Sequence, residues 1–143
     1  MSNVIVRDYI IPANDFTVAG EASSSVRKIL AQLGVAPNVV KRTSIAMYEA
    51  EINAVIHGHG GKAHVEIDGS KVYISISDQG PGIADVELAM QDGYSTASDS
   101  IREMGFGAGM GLSNIKKHSD VFKIDTEISK GTTVVITVFF IAE

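Results

Sequence analysis

The spacing of hydrophobic residues changes several times along the chain, and each change marks a predicted element. A β-branched run from Asn3 to Ile11 that stops at Pro12 predicts a strand. Asp15 is placed to cap a first helix, and Gly34 stands where a helix terminator belongs. The apolar positions of this helix share one face: Val18, Ala22, Val26, Ile29 and Leu33.

A second helix is predicted from Pro37 and Asn38 to about Ile56, followed by the breaker HGHGG. From Ala63 the period falls to two, which predicts an antiparallel hairpin with its turn at Asp68-Gly69. The remaining predicted elements are a short helix near 85–91, a helix at about 111–118, and two strands with the sequences VFKIDTEI and TTVVITVFFI. This order predicts an α/β fold, a two-layer α/β sandwich with a mixed, mostly antiparallel sheet covered on one face by helices.

Composition narrows the class of protein. A chain of 143 residues with 45% hydrophobic content has the size of one ordinary domain, which we assign to residues 1–143. The net charge of −5 and the lack of clustered Lys and Arg argue against nucleic-acid binding. The absence of cysteine excludes disulfides, a thiolate nucleophile and a Cys-ligated zinc site. Without a secretory signal or an apolar run near ~20 residues, a cytoplasmic protein with no membrane contact is expected.

The second helix carries polar residues close to an apolar stripe. Three isoleucines fall within about 40° of one another at 100° per residue: Ile45, Ile52 and Ile56. Glu49 and Asn53 lie beside this stripe, so a carboxylate and an amide are expected to face inward one turn apart, whereas Glu51 is expected to point to solvent. An inward carboxylate needs a cation, a donor or a ligand cavity. The pair therefore belongs to a ligand site or caps a loop.

The third predicted strand ends on an acid. Alternate residues Val72, Ile74 and Ile76 share one face, and Asp78 continues that face immediately before the sequence QGPG. Two interpretations are open. The carboxylate accepts hydrogen bonds from a ligand that approaches the glycine backbone, or it bonds the amides of its own turn.

The stretch MGFGAGMGL places glycines at 105, 107, 109 and 111, directly before a predicted helix. A helix N-terminus offers unpaired amides to an anion, and phosphate is the natural guest. A flexible loop is the alternative. Neither the Walker spacing nor the dinucleotide fingerprint is present, and the eukaryotic-type protein kinase motifs are absent.

Four motifs occur in a fixed order: EAEIN at 49–53, DQGPGI at 78–83, GFGAGMGL at 105–112 and KGTTV at 130–134. This set resembles the GHKL superfamily of gyrase, Hsp90, histidine kinases and MutL, whose members share the Bergerat ATP-binding fold. Within it, the small size and the sequence GMGLSNIKKHSDVFKIDTEISKGTTV look most like the stand-alone anti-sigma-factor serine kinases. Those proteins phosphorylate a serine on a small STAS-domain antagonist. The likeness is looser before residue 40.

The resemblance implies ATP and magnesium as cofactors and assigns roles to single residues. Asp78 would accept the adenine amino group, with Thr132 supporting that end of the pocket. Asn53 would hold magnesium through its side-chain oxygen. Glu49 would be the general base that takes the proton of the attacking hydroxyl.

The remaining residues implied to bind the nucleotide belong to the glycine-containing motifs. Gly80 and Gly82 would let the purine lie against the loop, next to Ile83. The second motif would wrap the phosphates through its four glycines and the following leucine: Gly105, Gly107, Gly109, Gly111 and Leu112. Arg102 is either an added phosphate contact or a solvated surface residue.

The resemblance favours a protein-serine kinase that regulates transcription by partner switching. Its partner would be a STAS-domain anti-anti-sigma protein, with a sigma factor as a second candidate partner. A non-catalytic, nucleotide-dependent binding module is the alternative, but such a module has no need of Glu49. An ATP hydrolase of the gyrase or MutL kind would require large additional domains, and a histidine kinase would need a dimerisation helix pair.

Two further predictions concern assembly and metals. The first strand and first helix are candidates for a homodimer contact, as in related kinases. The polar side chains His57, His59, His64 and Glu66 do not match a known zinc spacing, so no metal site is predicted there.

Overall fold

The computed structural model describes residues 4–13, 19–56, 60–83 and 111–141. In chain order, the elements in these ranges are β1 (Ile5–Ile11), α1 (Glu21–Gln32), α2 (Pro37–Ile56), β2 (Gly61–Ile67), β3 (Lys71–Asp78), α3 (Gly111–His118), β4 (Val121–Glu127) and β5 (Gly131–Phe139). The predicted helix near 85–91 lies outside the described residues. None of the described helices combines the length and the hydrophobicity of a membrane-spanning segment.

The five strands form one sheet in the order β1-β2-β3-β5-β4, and all four neighbouring pairs are antiparallel. Val65 pairs with Ile74 and Ile74 pairs with Ile136, so the buried side chains of the central strands share one face. All three helices belong to the layer on that face, since α1 packs on α2, and α2 packs on both the sheet and α3. The expected α/β two-layer fold is confirmed, with every described strand pair antiparallel.

The face of α2 that enters the core is rich in alanine rather than isoleucine. Its buried side chains include Thr43, Ala46, Met47, Ala50 and Ala54. Ile45 and Ile56 are only partly buried, so the predicted isoleucine stripe is not the main core face. Small side chains let the helix lie close to the sheet, and their modest hydrophobicity hides this face from a pattern based on large residues.

Helix α1 begins later than predicted. It starts at Glu21, with Gly20 as its N-cap at φ 97°, so the start expected at Asp15 is wrong. Asp15 itself lies outside the described residues. Gly34 follows the helix at φ 78°, as expected for a terminator, whereas Leu33 is 51% exposed and does not belong to the core face.

Glu51 caps α1 from the neighbouring helix. Its carboxylate accepts hydrogen bonds from the backbone N–H groups of Gly20 (2.9 Å), Ala22 (3.2 Å) and Ser23 (3.0 Å). The side chain is 3% exposed, so the prediction that Glu51 points to solvent is wrong. The first turn of a helix has unpaired donors and a positive dipole end, and these offset the cost of burying the charge.

Candidate functional site

The loop that follows β3 is held through the side chain of Asp78. Its Oδ1 atom accepts hydrogen bonds from the backbone N–H groups of Gly80 (2.9 Å) and Thr132 (3.2 Å). Asp78 therefore does bond the turn, as one of the two interpretations expected. Asp78 is partly buried, and within the described ranges no donor contacts its Oδ2 atom, so this oxygen can accept a hydrogen bond from a ligand.

Glycine is required where this loop meets the turn between β4 and β5. Gly82 has φ 80°, and a Cβ atom there would collide with the carbonyl oxygen of Glu127. Gly131 has φ 111°, and a Cβ atom there would collide with the carbonyl oxygen of Asp78. The backbone N–H of Ser129 also donates to the carbonyl oxygen of Pro81 at 2.9 Å. The backbone of residues 78–83 therefore packs directly against the β4–β5 turn.

Thr126 joins the end of this loop to the start of β5. Its Oγ1 atom accepts a hydrogen bond from the backbone N–H of Ile83 (2.9 Å) and lies 2.9 Å from Oγ1 of Thr132. It also lies within hydrogen-bond distance, 3.2 Å, of the carbonyl oxygen of Gly131. Asp78 and the two threonines thus form one hydrogen-bonded cluster that joins the loop after β3 to the start of β5.

The sequence analysis does not single out Thr126, although the sequence contains a signal for it. Phe122 and Ile124 precede it on the same face of β4, so Thr126 is a polar residue in an apolar series. The same reasoning singled out Asp78 after β3. The β4 pattern is harder to use because β4 is an edge strand whose inward residues are only partly buried.

Asn53 meets the start of α3. A Cβ atom at Gly111 would lie 3.0 Å from Nδ2 and 3.1 Å from Oδ1 of Asn53, which is closer than an ordinary side-chain contact. The glycine therefore lets the first turn of α3 approach this half-buried amide. Leu112 is 8% exposed and packs in the core beneath the same turn. Asn53 therefore lies beside the first turn of α3, which begins with Gly111 and Leu112, and the nucleotide-binding roles of these residues stay predictions.

Glu49 lies one turn before Asn53 on α2 and is half-buried. Burial raises the pKa of its carboxyl group, while a hydrogen bond from the side chain of Asn114 and the charge of His118 oppose this rise. Nδ1 of His118 lies 2.8 Å from the carbonyl oxygen of Asn114 and donates to it, which fixes the ring on α3. A carboxylate with a raised pKa is a suitable proton acceptor near neutral pH. Asn114, the hydrogen-bond partner of Glu49, is not among the site residues predicted from the sequence.

The side chain of Asn53 fits a magnesium ion that takes most of its ligands from water and phosphate rather than from the protein. The side-chain oxygen of Asn53 is a hard ligand, and magnesium retains waters and binds phosphate oxygens. Within the described ranges, no group of three or more His, Asp and Glu side chains could hold a metal alone. His64 instead lies between Asp8 (2.7 Å) and Glu66 (2.8 Å), on the sheet face turned away from the helices.

Several predicted site residues lie outside the described ranges: Arg102, Gly105, Gly107 and Gly109, together with His57 and His59 of the histidine cluster. Their roles stay predictions.

Comparison with models of protein families assigns the chain to a family. The model of the histidine kinase-, DNA gyrase B- and HSP90-like ATPases matches residues 38–141. The chain belongs to this family. The matched range contains Glu49, Asn53, Asp78 and Thr132, and membership implies ATP binding.

The chain is also similar to proteins named anti-sigma F factor. It is 31% identical to that of Clostridium beijerinckii over 121 residues, which cover 80% of this chain and 81% of the relative. It is 33% identical to that of Halalkalibacterium halodurans over 119 residues, covering 79% and 78% of the two chains.

Solved structures share the fold. The RsbU and RsbW domains of Rv1364c from Mycobacterium tuberculosis match with a TM-score of 0.63 at 18% identity, covering 94% of this chain and 32% of that chain. The SiaB-SiaC complex from Pseudomonas aeruginosa matches with a TM-score of 0.58 at 12% identity, covering 92% and 88%. At these identities the likeness concerns the fold alone.

Proposed function

We propose that this protein is an ATP-dependent protein-serine kinase that acts on a STAS-domain anti-anti-sigma protein and regulates transcription by partner switching. The observation that carries the proposal is Glu49, a half-buried carboxylate with a raised pKa. It lies one turn from Asn53 on the helix that meets the start of α3. A module that only binds nucleotide has no use for such a base. The similarity to proteins named anti-sigma F factor supports a role in the regulation of a sigma factor.

In the proposed reaction, Glu49 accepts the proton of the serine hydroxyl as the serine oxygen attacks the γ-phosphorus of ATP. The bond from the γ-phosphorus to the β,γ-bridging oxygen breaks, and ADP leaves with that electron pair. Asp78 accepts a hydrogen bond from the adenine amino group through the oxygen that its turn does not use. Asn53 and the amides at the start of α3 hold the phosphate end.

Magnesium, when bound, neutralises charge on the phosphates. Asn53 would be its protein ligand, since its side-chain oxygen lies at the start of α3. The buried side chains of Leu112 and Ile115 anchor α3, whose first turn would meet the phosphates, to the hydrophobic core.

The decisive test compares wild type with Glu49→Gln. Titration calorimetry measures Mg-ATP and ADP binding, and ADP release is then followed with and without a candidate STAS protein. We expect Glu49→Gln to bind ATP as wild type does but to lose phosphotransfer by about a hundredfold or more, the usual contribution of a general base.

Glu66→Gln is the matched control, because Glu66 lies on the opposite face of the sheet and should leave turnover unchanged. Full phosphotransfer by Glu49→Gln would refute the role of Glu49 as base. ATP binding without ADP release under any condition would favour the nucleotide-dependent binding module, which could sequester a sigma factor. No ATP binding by wild type would refute the proposal altogether.

A further inference from the structure

Thr126 is a polar residue on the helix-covered face of the sheet, and it connects two separate segments. One contact reaches Ile83, the last residue that the structure describes after β3. The others reach Gly131 and Thr132, the first residues of β5. No other described hydroxyl bonds both of these segments.

The hydrogen-bond roles follow from the groups involved. The backbone N–H of Ile83 can only donate, so the oxygen of Thr126 accepts. The single proton of Thr126 then goes to the carbonyl oxygen of Gly131 or to Oγ1 of Thr132. In the first case, the hydroxyl of Thr132 donates to Thr126. In either arrangement Thr126 pairs the amide of Ile83 and the hydroxyl of Thr132 at the same time.

These contacts extend to Asp78 at the other end of the loop. Thr132 donates its backbone N–H to Oδ1 of Asp78 at 3.2 Å, while its side chain contacts Thr126. Thr126 therefore holds Ile83 directly and Asp78 through Thr132. We propose that Thr126 is a positioning residue for the base of the bound nucleotide, setting the loop of residues 78–83 at the distance that adenine requires.

The inference rests on the proposed nucleotide binding and makes a selective prediction. Thr126 contacts neither Asn53 nor Gly111, the described residues at the proposed phosphate end. Loss of the Thr126 hydroxyl should weaken binding of the adenine base, which ATP and ADP share, and so lower the affinity for both nucleotides. It should leave the phosphotransfer step itself unchanged.

Thr126→Val tests this, because valine keeps the shape and removes the hydroxyl. Thr126→Ser restores the hydroxyl and should rescue binding. The matched control is Thr133→Val, which removes a neighbouring hydroxyl that pairs with Ser77 at 3.1 Å on the opposite face of the sheet. Kd for ATP and for ADP is measured by titration calorimetry. KM and kcat for phosphotransfer are measured on the same samples.

We expect Thr126→Val to raise Kd for both nucleotides and KM for ATP by about tenfold, with kcat near the wild-type value. Thr126→Ser and Thr133→Val should both resemble wild type. A change in Kd below about twofold, an equal loss in Thr133→Val, or a failure of serine to rescue would each overturn the inference. If Thr126→Val does not fold, Thr126→Ala takes its place against the same controls. Absence of ATP binding in wild type would refute the proposed function instead, so the two failures are distinguishable.

Discussion

Asn53 and Asp78 lie in different surroundings, and their substitutions should affect nucleotide binding differently. Asn53→Ala removes the proposed oxygen ligand of magnesium, so only the magnesium-dependent part of ATP binding should be lost. Asp78→Asn keeps an oxygen that can accept from the amides of Gly80 and Thr132. It replaces the other oxygen by a donor, so binding of any adenine nucleotide should weaken by about tenfold or more.

The measurement is calorimetric titration of ATP and ADP with magnesium and with a chelator. Asn53→Ala and wild type should bind ATP alike when the metal is removed, whereas Asp78→Asn should be impaired in both conditions. An Asp78→Asn variant that binds ADP as tightly as wild type would contradict the assignment of Asp78 to the base.

At the scale of elements, the contact between α1 and α2 includes three hydrogen bonds to the buried carboxylate of Glu51. In Glu51→Gln an amide group replaces one acceptor oxygen and faces a backbone donor. We expect the free energy of unfolding to fall by about 1–3 kcal/mol, the usual cost of an unpaired buried polar group. Glu51→Ala should lose more, because it leaves all three amides of the first turn of α1 without this partner.

Urea unfolding monitored by circular dichroism gives these values. Glu66→Gln serves as the comparison, since its carboxylate is exposed and pairs with the exposed side chain of His64. Equal stability of Glu51→Gln and wild type would mean that the hydrogen bonds to α1 contribute nothing net.

The elements that the sequence predicts well are those defined by local patterns. The β2–β3 hairpin follows from a two-residue period and a turn, and Asp68 does bond the N–H groups of Ser70 and Lys71. The burial of Glu51 could not be predicted, because its donors come from residues about thirty positions earlier in the chain. The start of α1 was wrong for the same reason, since its cap comes from another helix. Asn53 and Asp78 could be found from the sequence. Asn53 is a polar residue beside an apolar stripe of α2, and Asp78 continues the apolar face of β3.

At the scale of the whole molecule, the helices cover one face of the sheet and β1 forms one of its edges. Three hydrophobic side chains of this segment are exposed, with Ile10 82% exposed: Val4, Val6 and Ile10. An edge strand also carries backbone groups available for pairing with another chain. The homodimer expected from the sequence could therefore form through β1.

Sedimentation equilibrium over a range of concentrations tests this. We expect wild type to show a concentration-dependent mass and Ile10→Asp to shift towards the monomer. Ile141→Asp is the control, because Ile141 is 78% exposed at the opposite end of the chain. A monomer mass at every concentration would exclude the homodimer.

The carboxylate of Glu51 also has a consequence for where phosphate can bind. The positive start of a helix attracts anions in general, and a chain with several such starts offers competing places for a polyphosphate. At α1 the protein supplies its own anion, bound to three backbone amides and 3% exposed. A phosphate would have to displace this carboxylate before it could occupy α1. Glu51 thus acts as a built-in competitive ligand at the start of α1, which leaves the start of α3 free of this competition in the proposed mode of nucleotide binding.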